Sequence, residues 1–233
     1  MGNPDGSLPE AAVEVAEIGK SFTSKKVMIG SEATEGAVRA LMPKFDIIHL
    51  ATHGVLDQRL PLFSYLKFSA GASPAAPAQR PGATRPAEPV AEAQLTVSKI
   101  FDMELQASLV VLSACESGLA GGYRGGEASG DELVGLARAF IYAGTPTVVA
   151  TLWNVYDVST GELMVNFYRH LRGGQVAEAL RGAQAEFLKG KVDTSKVASG
   201  ARGVGGKVRG GDSLLPGEHP FFWAPFIVFG DWR

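Results

Sequence analysis

Three short runs of almost wholly apolar residues constrain the fold of this chain more than any other feature. They are IIHLA from Ile47, LVVLSA from Leu109 and TVVATLW from Thr147. A strand that is apolar at every position is covered on both faces, which is typical of parallel sheets. Segments with a helical period, such as DELVGLARAFIYAG and VAEALRGAQAEFL, separate or follow the runs. The alternation predicts a three-layer α/β fold, with helices on both faces of a mainly parallel central sheet.

Shorter elements are predicted around these runs. Pro9 and Gly19 stand where a helix can start and stop, which predicts a helix over residues 9–19. Thr34 is placed as the N-cap of a second helix, in ATEGAVRALM. Two further strands are predicted, in KVMIG and in FIVF near the end of the chain.

Two of the apolar runs end at residues that can carry chemistry. His53 follows the first run, and Cys115, the only cysteine in the chain, ends the second. Parallel α/β sheets place ligands at the carboxyl ends of their strands, so the two side chains share one rim if their strands are neighbours. A thiolate attacks carbonyl groups, and an imidazole can take up the thiol proton and later protonate a leaving amine. The pattern therefore predicts Cys115 as nucleophile and His53 as general acid and base.

The backbone beside this pair offers donors for an oxyanion. Gly54 would present its N–H with no side chain in the way, and the N–H of Cys115 is the second donor. The ordinary alternative is that Cys115 is an inert core thiol and that His53 only ends a strand. The residues alone leave both interpretations open, and they identify no third residue that would orient His53. His49, inside the first run, is interpreted as a core histidine or as a support for the site.

Composition excludes several classes of function. The 233 residues include 22 basic and 24 acidic side chains, a net charge of −2, which is no electrostatic footprint for nucleic acid or an anionic membrane. No apolar run nears the ~20 residues of a membrane helix, and the N-terminus lacks the plan of a signal peptide. One cysteine and four histidines form no recognisable metal pattern, and the sequence has no P-loop and no G-x-S-x-G motif. We expect a cytoplasmic protein that uses no metal and no cofactor.

Two segments of the chain have no period. Residues 70–93 are rich in Ala and Pro, and residues 189–213 are rich in Gly and Lys. Both are predicted to be flexible, the first as an insertion between the histidine and cysteine strands that could shield the site. The length suits one domain or one domain with a small extension, and we expect one domain over residues 1–233.

Several separated motifs resemble, in the same order, the CHAT domain, a family of caspase-like cysteine peptidases related to separases and caspases. They are HLATHG, LVVLSACESG, ELVGLARAFIYAGTPTVVATLWNVYD, ELMVNFYRHLRGG, AEALRGAQ and HPFFWAPFIVFGDWR. The resemblance covers nearly the whole chain except the two segments without a period. It implies a caspase-like α/β fold and a histidine–cysteine dyad that maps onto His53 and Cys115. It thereby implies a cysteine endopeptidase that acts on a protein or peptide substrate.

The resemblance also implies a setting for the domain. Many CHAT domains follow tetratricopeptide repeats or other sensor modules in bacteria and some archaea, and some are proteases of signalling or defence. We therefore expect an upstream sensor or repeat module that switches the domain on. A full CHAT domain usually has a further strand and helix before this part, and GNPDGSLPEA resembles the stretch after that strand, so we expect this chain to lack the N-terminal part. The alternatives are a catalytically silent CHAT module that acts as an interaction scaffold, and an unrelated α/β hydrolase or transferase.

One further residue is implied by a likeness to separases. LWNVYDVST is similar to the separase segment after the corresponding strand, where an aspartate lines the pocket for an arginine before the scissile bond. Carried over, Asp157 would bind a cationic substrate side chain, with arginine preferred because its planar fork fits a carboxylate. The alternative is that Asp157 only caps a helix that starts near Ser159.

Overall fold

The computed structural model describes residues 1–57, 59–71, 93–116, 131–152, 157–172, 175–189 and 219–232. For residues 115, 116, 131–134, 157 and 158 it describes the backbone alone. The two segments predicted to be flexible, 70–93 and 189–213, fall almost entirely outside the described residues.

The described part of the chain contains seven α-helices and eight strands. The helices are α1 (Pro9–Lys20), α2 (Glu35–Leu41), α3 (Val97–Phe101), α4 (Asp131–Tyr142), α5 (Asp157–Leu171), α6 (Val176–Leu188) and α7 (Pro220–Trp223). The strands are β1 (Ile47–Leu50), β2 (His53–Val55), β3 (Tyr65–Lys67), β4 (Gln94–Thr96), β5 (Leu109–Leu112), β6 (Cys115–Glu116), β7 (Thr147–Thr151) and β8 (Phe226–Gly230).

The central sheet has the order β1-β5-β7-β8. Its first three strands are the three apolar runs, and they pair in parallel, as predicted. The last strand, β8, joins β7 antiparallel and closes that side of the sheet. A second four-stranded sheet has the order β4-β3-β2-β6.

The side chains of the central strands alternate between two cores. One set faces α2, α3 and α4 and comprises Ile48, Leu50, Val110, Leu112, Val148 and Ala150. The other set faces α1, α5, α6 and α7 and comprises Ile47, Leu109, Val111, Val149 and Val228. Because successive side chains of a strand point to opposite faces, the same strands pack against both layers of helices. Fully burying one Val, Leu or Ile side chain stabilises a fold by about 1.5–3 kcal/mol. The predicted three-layer α/β fold is confirmed.

Two local predictions need correction. KVMIG does not form a strand; within it, Ile29 makes one isolated parallel bridge, to Gly2. The side chains of Val27 and Ile29 pack against a hydrophobic cluster that includes residues of α1. This packing explains why the two residues are apolar although they belong to no strand. Helix α5 begins at Asp157 and not near Ser159, which lies buried inside its first turn.

The first residues of the chain lie against the carboxyl end of β1. The N–H of Ala51 donates to the carbonyl oxygen of Met1 at 2.8 Å, and the N–H of Asn3 donates to that of Ala51 at 3.0 Å. Gly2 sits so close to α1 that an added Cβ would collide with the carbonyl oxygen of Ala11. Asn3 has a positive φ of 51°, which turns the chain away from the sheet. This path carries the NPDGS segment across the end of β1 toward His53.

Candidate active site

The backbone of the sheet brings the predicted nucleophile and base side by side. Strand β2 pairs in parallel with β6, and His53 is the register partner of Cys115. Strand β2 follows β1, and β6 follows β5, each after a break of two residues. The register is the same on both sides of the breaks: Leu50 pairs with Leu112, and His53, three residues later, pairs with Cys115. The side chain of Cys115 lies outside the described residues.

Side-chain hydrogen bonds fix the two breaks just before the candidate dyad. The hydroxyl of Thr52 donates to the carbonyl oxygen of Lys67 in β3, at 2.5 Å. The hydroxyl of Thr151, at the end of β7, donates to the carbonyl oxygen of Ala114 at 2.8 Å, and this bond is buried. Each bond joins the residue before His53 or Cys115 to a neighbouring strand, so the positions of both backbones are set by the sheet.

His53 is buried, with 3% of its surface exposed, and its contacts come from far away in the chain. Its Nε2 atom lies 2.6 Å from the hydroxyl oxygen of Ser7 and 3.8 Å from Oδ2 of Asp5. Sequence analysis missed both residues. The one sequence signal in this region is the turn-forming composition of NPDGS, which predicts a turn but not what the turn touches.

Asp5 is an ionised carboxylate held by two neighbours. Its Oδ1 atom accepts from the hydroxyl of Ser7 at 2.6 Å and from the backbone N–H of Ser7 at 3.1 Å. Its Oδ2 atom lies 2.8 Å from Nζ of Lys67. Partial burial alone would raise the pKa of Asp5, but the hydrogen bonds from Lys67 and Ser7 outweigh it and lower the pKa to about 2. A fixed negative charge therefore stands beside His53 at neutral pH.

The two predicted oxyanion donors lie on neighbouring strands. Gly54 is buried in β2, which runs between β3 and β6. Its register partners are Leu66 and Glu116, so it is diagonal to Cys115 across the parallel pair.

Asp157 is the first residue of α5, the helix that follows β7. Strand β7 is a parallel neighbour of β5, so the chain leaves β7 at the same end of the sheet as the path into β6. The side chain of Asp157 lies outside the described residues. A carboxylate in the first turn of a helix favours the helix dipole.

The other histidine of the first run, His49, belongs to the core, in line with one of its two interpretations. Its Nε2 atom lies 2.9 Å from Oε1 of Glu14 in α1, and its Nδ1 atom lies 3.2 Å from the hydroxyl of Tyr168 in α5. Burial, with the charge of Glu14, raises the pKa of Tyr168 well above its ordinary value. Glu14 is 1% exposed. Glu14 lies among apolar residues of α1 in the sequence, and this pattern indicates a buried carboxylate that requires a polar partner.

An apolar groove of about 350 Å³ runs along the edge of β1 away from β5. His49 and Tyr168 line it, together with residues of α1, α2 and the segment before β1. His53 does not line it, so the groove is separate from the candidate dyad.

No three His, Cys, Asp or Glu side chains lie together as a metal site among the described residues. In the same part of the chain, each helix is too short or too polar to cross a membrane.

Comparison with known proteins adds the family. A family model described as the CHAT domain matches residues 1–231. Tetratricopeptide repeat protein 28 of Mus musculus is 27% identical to this chain over 245 residues, and the protein of that name from Homo sapiens is 25% identical over 244 residues. Both matches cover 97% of this chain but only 9% and 8% of the two relatives, so the chain corresponds to a small part of each.

Proposed function

This chain belongs to the CHAT domain family, and on that premise we propose that it is a caspase-like cysteine endopeptidase with Cys115 as nucleophile and His53 as general acid and base. The observation that carries the proposal is the parallel pairing of β2 with β6, in which the two residues are register partners. A histidine and a cysteine at the ends of two apolar strands are each unremarkable alone. Their direct juxtaposition is what a proton transfer between their side chains requires.

The reaction uses the groups in a fixed order. His53 takes the proton of the Cys115 thiol, and the thiolate attacks the carbonyl carbon of the scissile peptide bond. The N–H groups of Gly54 and Cys115 stabilise the oxyanion of the tetrahedral intermediate. The imidazolium then gives its proton to the leaving amine, which departs and leaves a thioester on Cys115. His53 activates a water molecule that hydrolyses the thioester and releases the acid product.

Asp157 is proposed to select the substrate residue before the cleaved bond. It starts the helix after β7, at the end of the sheet where β5 leads into Cys115. A carboxylate there would bind a cationic side chain, and arginine more strongly than lysine because a bidentate contact is possible.

The setting proposed for the domain is beside a repeat module. Tetratricopeptide repeat protein 28, by its name, contains tetratricopeptide repeats, and the part matched by this chain is 9% of the mouse protein and 8% of the human protein. We propose that a sensor or repeat module of this kind controls the domain, in a cytoplasmic signalling or defence pathway, and delivers a specific protein substrate.

A second candidate is a catalytically silent CHAT module that acts as an interaction scaffold. The observation that favours it is the burial of His53, which is 3% exposed. A general base so enclosed must be uncovered before it meets a substrate.

An active-site thiol probe followed by intact mass measurement separates the two candidates. Cys115 is the only cysteine, so each adduct reports on that residue alone. A protease predicts one rapid adduct whose rate falls strongly in His53→Ala, because the imidazole is what makes the thiol a thiolate at neutral pH. His170→Ala, which removes a histidine from the α5 surface near Glu186, is the matched control and should label at the parent rate. Slow labelling that is the same in the parent and in His53→Ala supports the scaffold.

A further inference from the structure

We propose that Ser7 and Asp5 are positioning residues that hold the imidazole of His53 as the Nε2–H tautomer, so that Nδ1 is the atom that exchanges a proton with Cys115. The tautomer follows from contacts among described residues. The role of Nδ1 toward Cys115 rests on the proposed function.

Counting protons fixes the tautomer. A serine hydroxyl has one proton to donate and two lone pairs that accept. The hydroxyl of Ser7 donates its proton to Oδ1 of Asp5, at 2.6 Å. The same oxygen lies 2.6 Å from Nε2 of His53, so at this second contact Ser7 can only accept. Nε2 of His53 must then carry the proton, and in the neutral ring Nδ1 carries the lone pair.

The reverse arrangement is excluded by the charge of Asp5. If Ser7 donated to His53, two oxygen atoms with only lone pairs would face each other at 2.6 Å. That contact would be tolerable only with a protonated Asp5, whereas Nζ of Lys67 at 2.8 Å and the backbone N–H of Ser7 at 3.1 Å both favour the ionised carboxylate. An ionised carboxylate is an acceptor only, so the proton between the two oxygens belongs to Ser7.

The carboxylate of Asp5 also favours the charged form of the ring. Oδ2 of Asp5 lies 3.8 Å from Nε2 of His53, close enough to stabilise an imidazolium. Among the described side chains, Asp5 from the N-terminal segment lies beside the ring and Lys67 from β3 lies beside Asp5. Cys115 is the backbone register partner of His53 in β6. Nζ of Lys67 lies 2.8 Å from Oδ2 of the same carboxylate, and its positive charge disfavours a charged imidazole ring. The pKa of His53 therefore reflects the opposing charges of Asp5 and Lys67.

The segment that carries these groups is anchored on both sides. Asn3 donates its backbone N–H to the carbonyl oxygen of Ala51 and accepts the N–H of Leu8 at its Oδ1 atom, at 2.8 Å. Leu8 is buried, with 2% of its surface exposed. The turn that holds Asp5 and Ser7 is thus closed and attached to the end of β1, which is the rigidity that a positioning contact needs.

Nuclear magnetic resonance of the imidazole nitrogens measures the tautomer of His53 directly. In protein labelled with ¹⁵N at histidine, the imidazole nitrogens of His53 are assigned by the signals that disappear in His53→Gln. The expected result is a protonated Nε2 and an unprotonated Nδ1 in the neutral ring. In Ser7→Ala we expect a mixture of tautomers or the Nδ1–H form, whereas Ser7→Thr keeps the hydroxyl and should keep the parent tautomer. Ser98→Ala, a serine in α3 that contacts Thr96, is the matched control.

Charge is tested apart from tautomer with Asp5→Asn. Asparagine can still accept from Ser7, so the tautomer should stay, while the midpoint of the His53 titration should move to lower pH because the anion is lost and Lys67 remains. Peptide cleavage by Ser7→Ala should fall about tenfold or more in kcat with little change in KM, as part of the 10²–10⁴ contribution of general acid–base catalysis.

An Nδ1–H tautomer in the parent, or an unchanged tautomer and titration in Ser7→Ala, would overturn the inference. The positioning role of Ser7 and Asp5 and the peptidase activity can be disproved independently of each other. A parent protein with the Nε2–H tautomer but an unreactive Cys115 would disprove the peptidase and leave the positioning contact in place.

Discussion

His53 and Cys115 are register partners in the parallel pair formed by β2 and β6. Their backbones continue the register that β1 and β5 set in the buried centre of the sheet. The spacing of the candidate dyad is therefore a property of the core and not of a mobile loop. Changes to either side chain should test the chemistry without disturbing the fold.

The first prediction concerns this pair. Cys115→Ala and His53→Ala should each lower peptide cleavage about a thousandfold or more, because nucleophile and base act as a unit. Peptide hydrolysis by the activated protein is the measurement, with thermal unfolding as the check that the variants fold. His170→Ala should keep parent activity. Full activity in either dyad variant would disprove the assignment.

The second prediction concerns the oxyanion donors. Gly54→Val should lower kcat about tenfold or more with a smaller change in KM, since a branched side chain beside His53 would crowd the N–H that meets the developing charge. Steady-state kinetics measure the effect. Gly36→Val is the control, because a Cβ at Gly36 in α2 meets no atom within 4 Å. Parent kcat in Gly54→Val would remove Gly54 from the site.

Substrate selection gives the third prediction. A peptide library varied at the residue before the cut should show a preference for Arg, then Lys, if Asp157 lines that pocket. Asp157→Asn should weaken the preference and Asp157→Lys should invert it toward acidic residues. Selectivity that is the same in all three proteins would leave Asp157 only the role of a helix-start residue. An acidic or apolar preference in the parent would have the same meaning.

Acid stability gives the fourth prediction. The pKa of Asp5 is lowered from 3.8 to about 2 in the folded protein. The folded state thus binds fewer protons than the unfolded state between these values. The stabilisation from Asp5 is complete above pH 3.8 and disappears as the pH falls toward about 2. Urea unfolding over this range should show a steeper loss of stability in the parent than in Asp5→Asn. Parallel curves would mean that the contacts of Asp5 do not matter for folding.

The fifth prediction concerns the buried contact between Glu14 and His49. Glu14→Ala should lower the free energy of unfolding by about 2 kcal/mol or more, because it removes one partner of a buried polar pair. Glu17→Ala, on the exposed side of the same helix, breaks only a surface pair with Lys20 and should cost about 0.5 kcal/mol or less. Chemical unfolding measures both. If the two substitutions lowered the free energy of unfolding equally, the buried contact would stabilise the fold no more than the surface pair does.

Elements that depend on local pattern could be predicted from the sequence. The three apolar runs became β1, β5 and β7, and the period and boundary residues of the helix at 9–19 gave α1, which ends one residue later than predicted. Thr34 accepts a hydrogen bond from the N–H of Ala37 as the predicted N-cap. The positions of His53 and Cys115 shortly after two apolar runs were also predictable from the sequence, although the structure makes each the first residue of a further short strand.

Contacts between distant segments could not be predicted in this way, because they depend on how the sheet is assembled. KVMIG has strand-like residues but no ladder, since a strand needs a partner, and only Ile29 of this stretch makes a bridge. Ser7 reaches His53 because Met1 and Asn3 pair with Ala51 at the end of β1, and no periodicity in the sequence encodes such a contact. Local spacing sets which elements form, whereas the contact that fixes a tautomer depends on long-range backbone pairing, which exists only once the sheet is assembled.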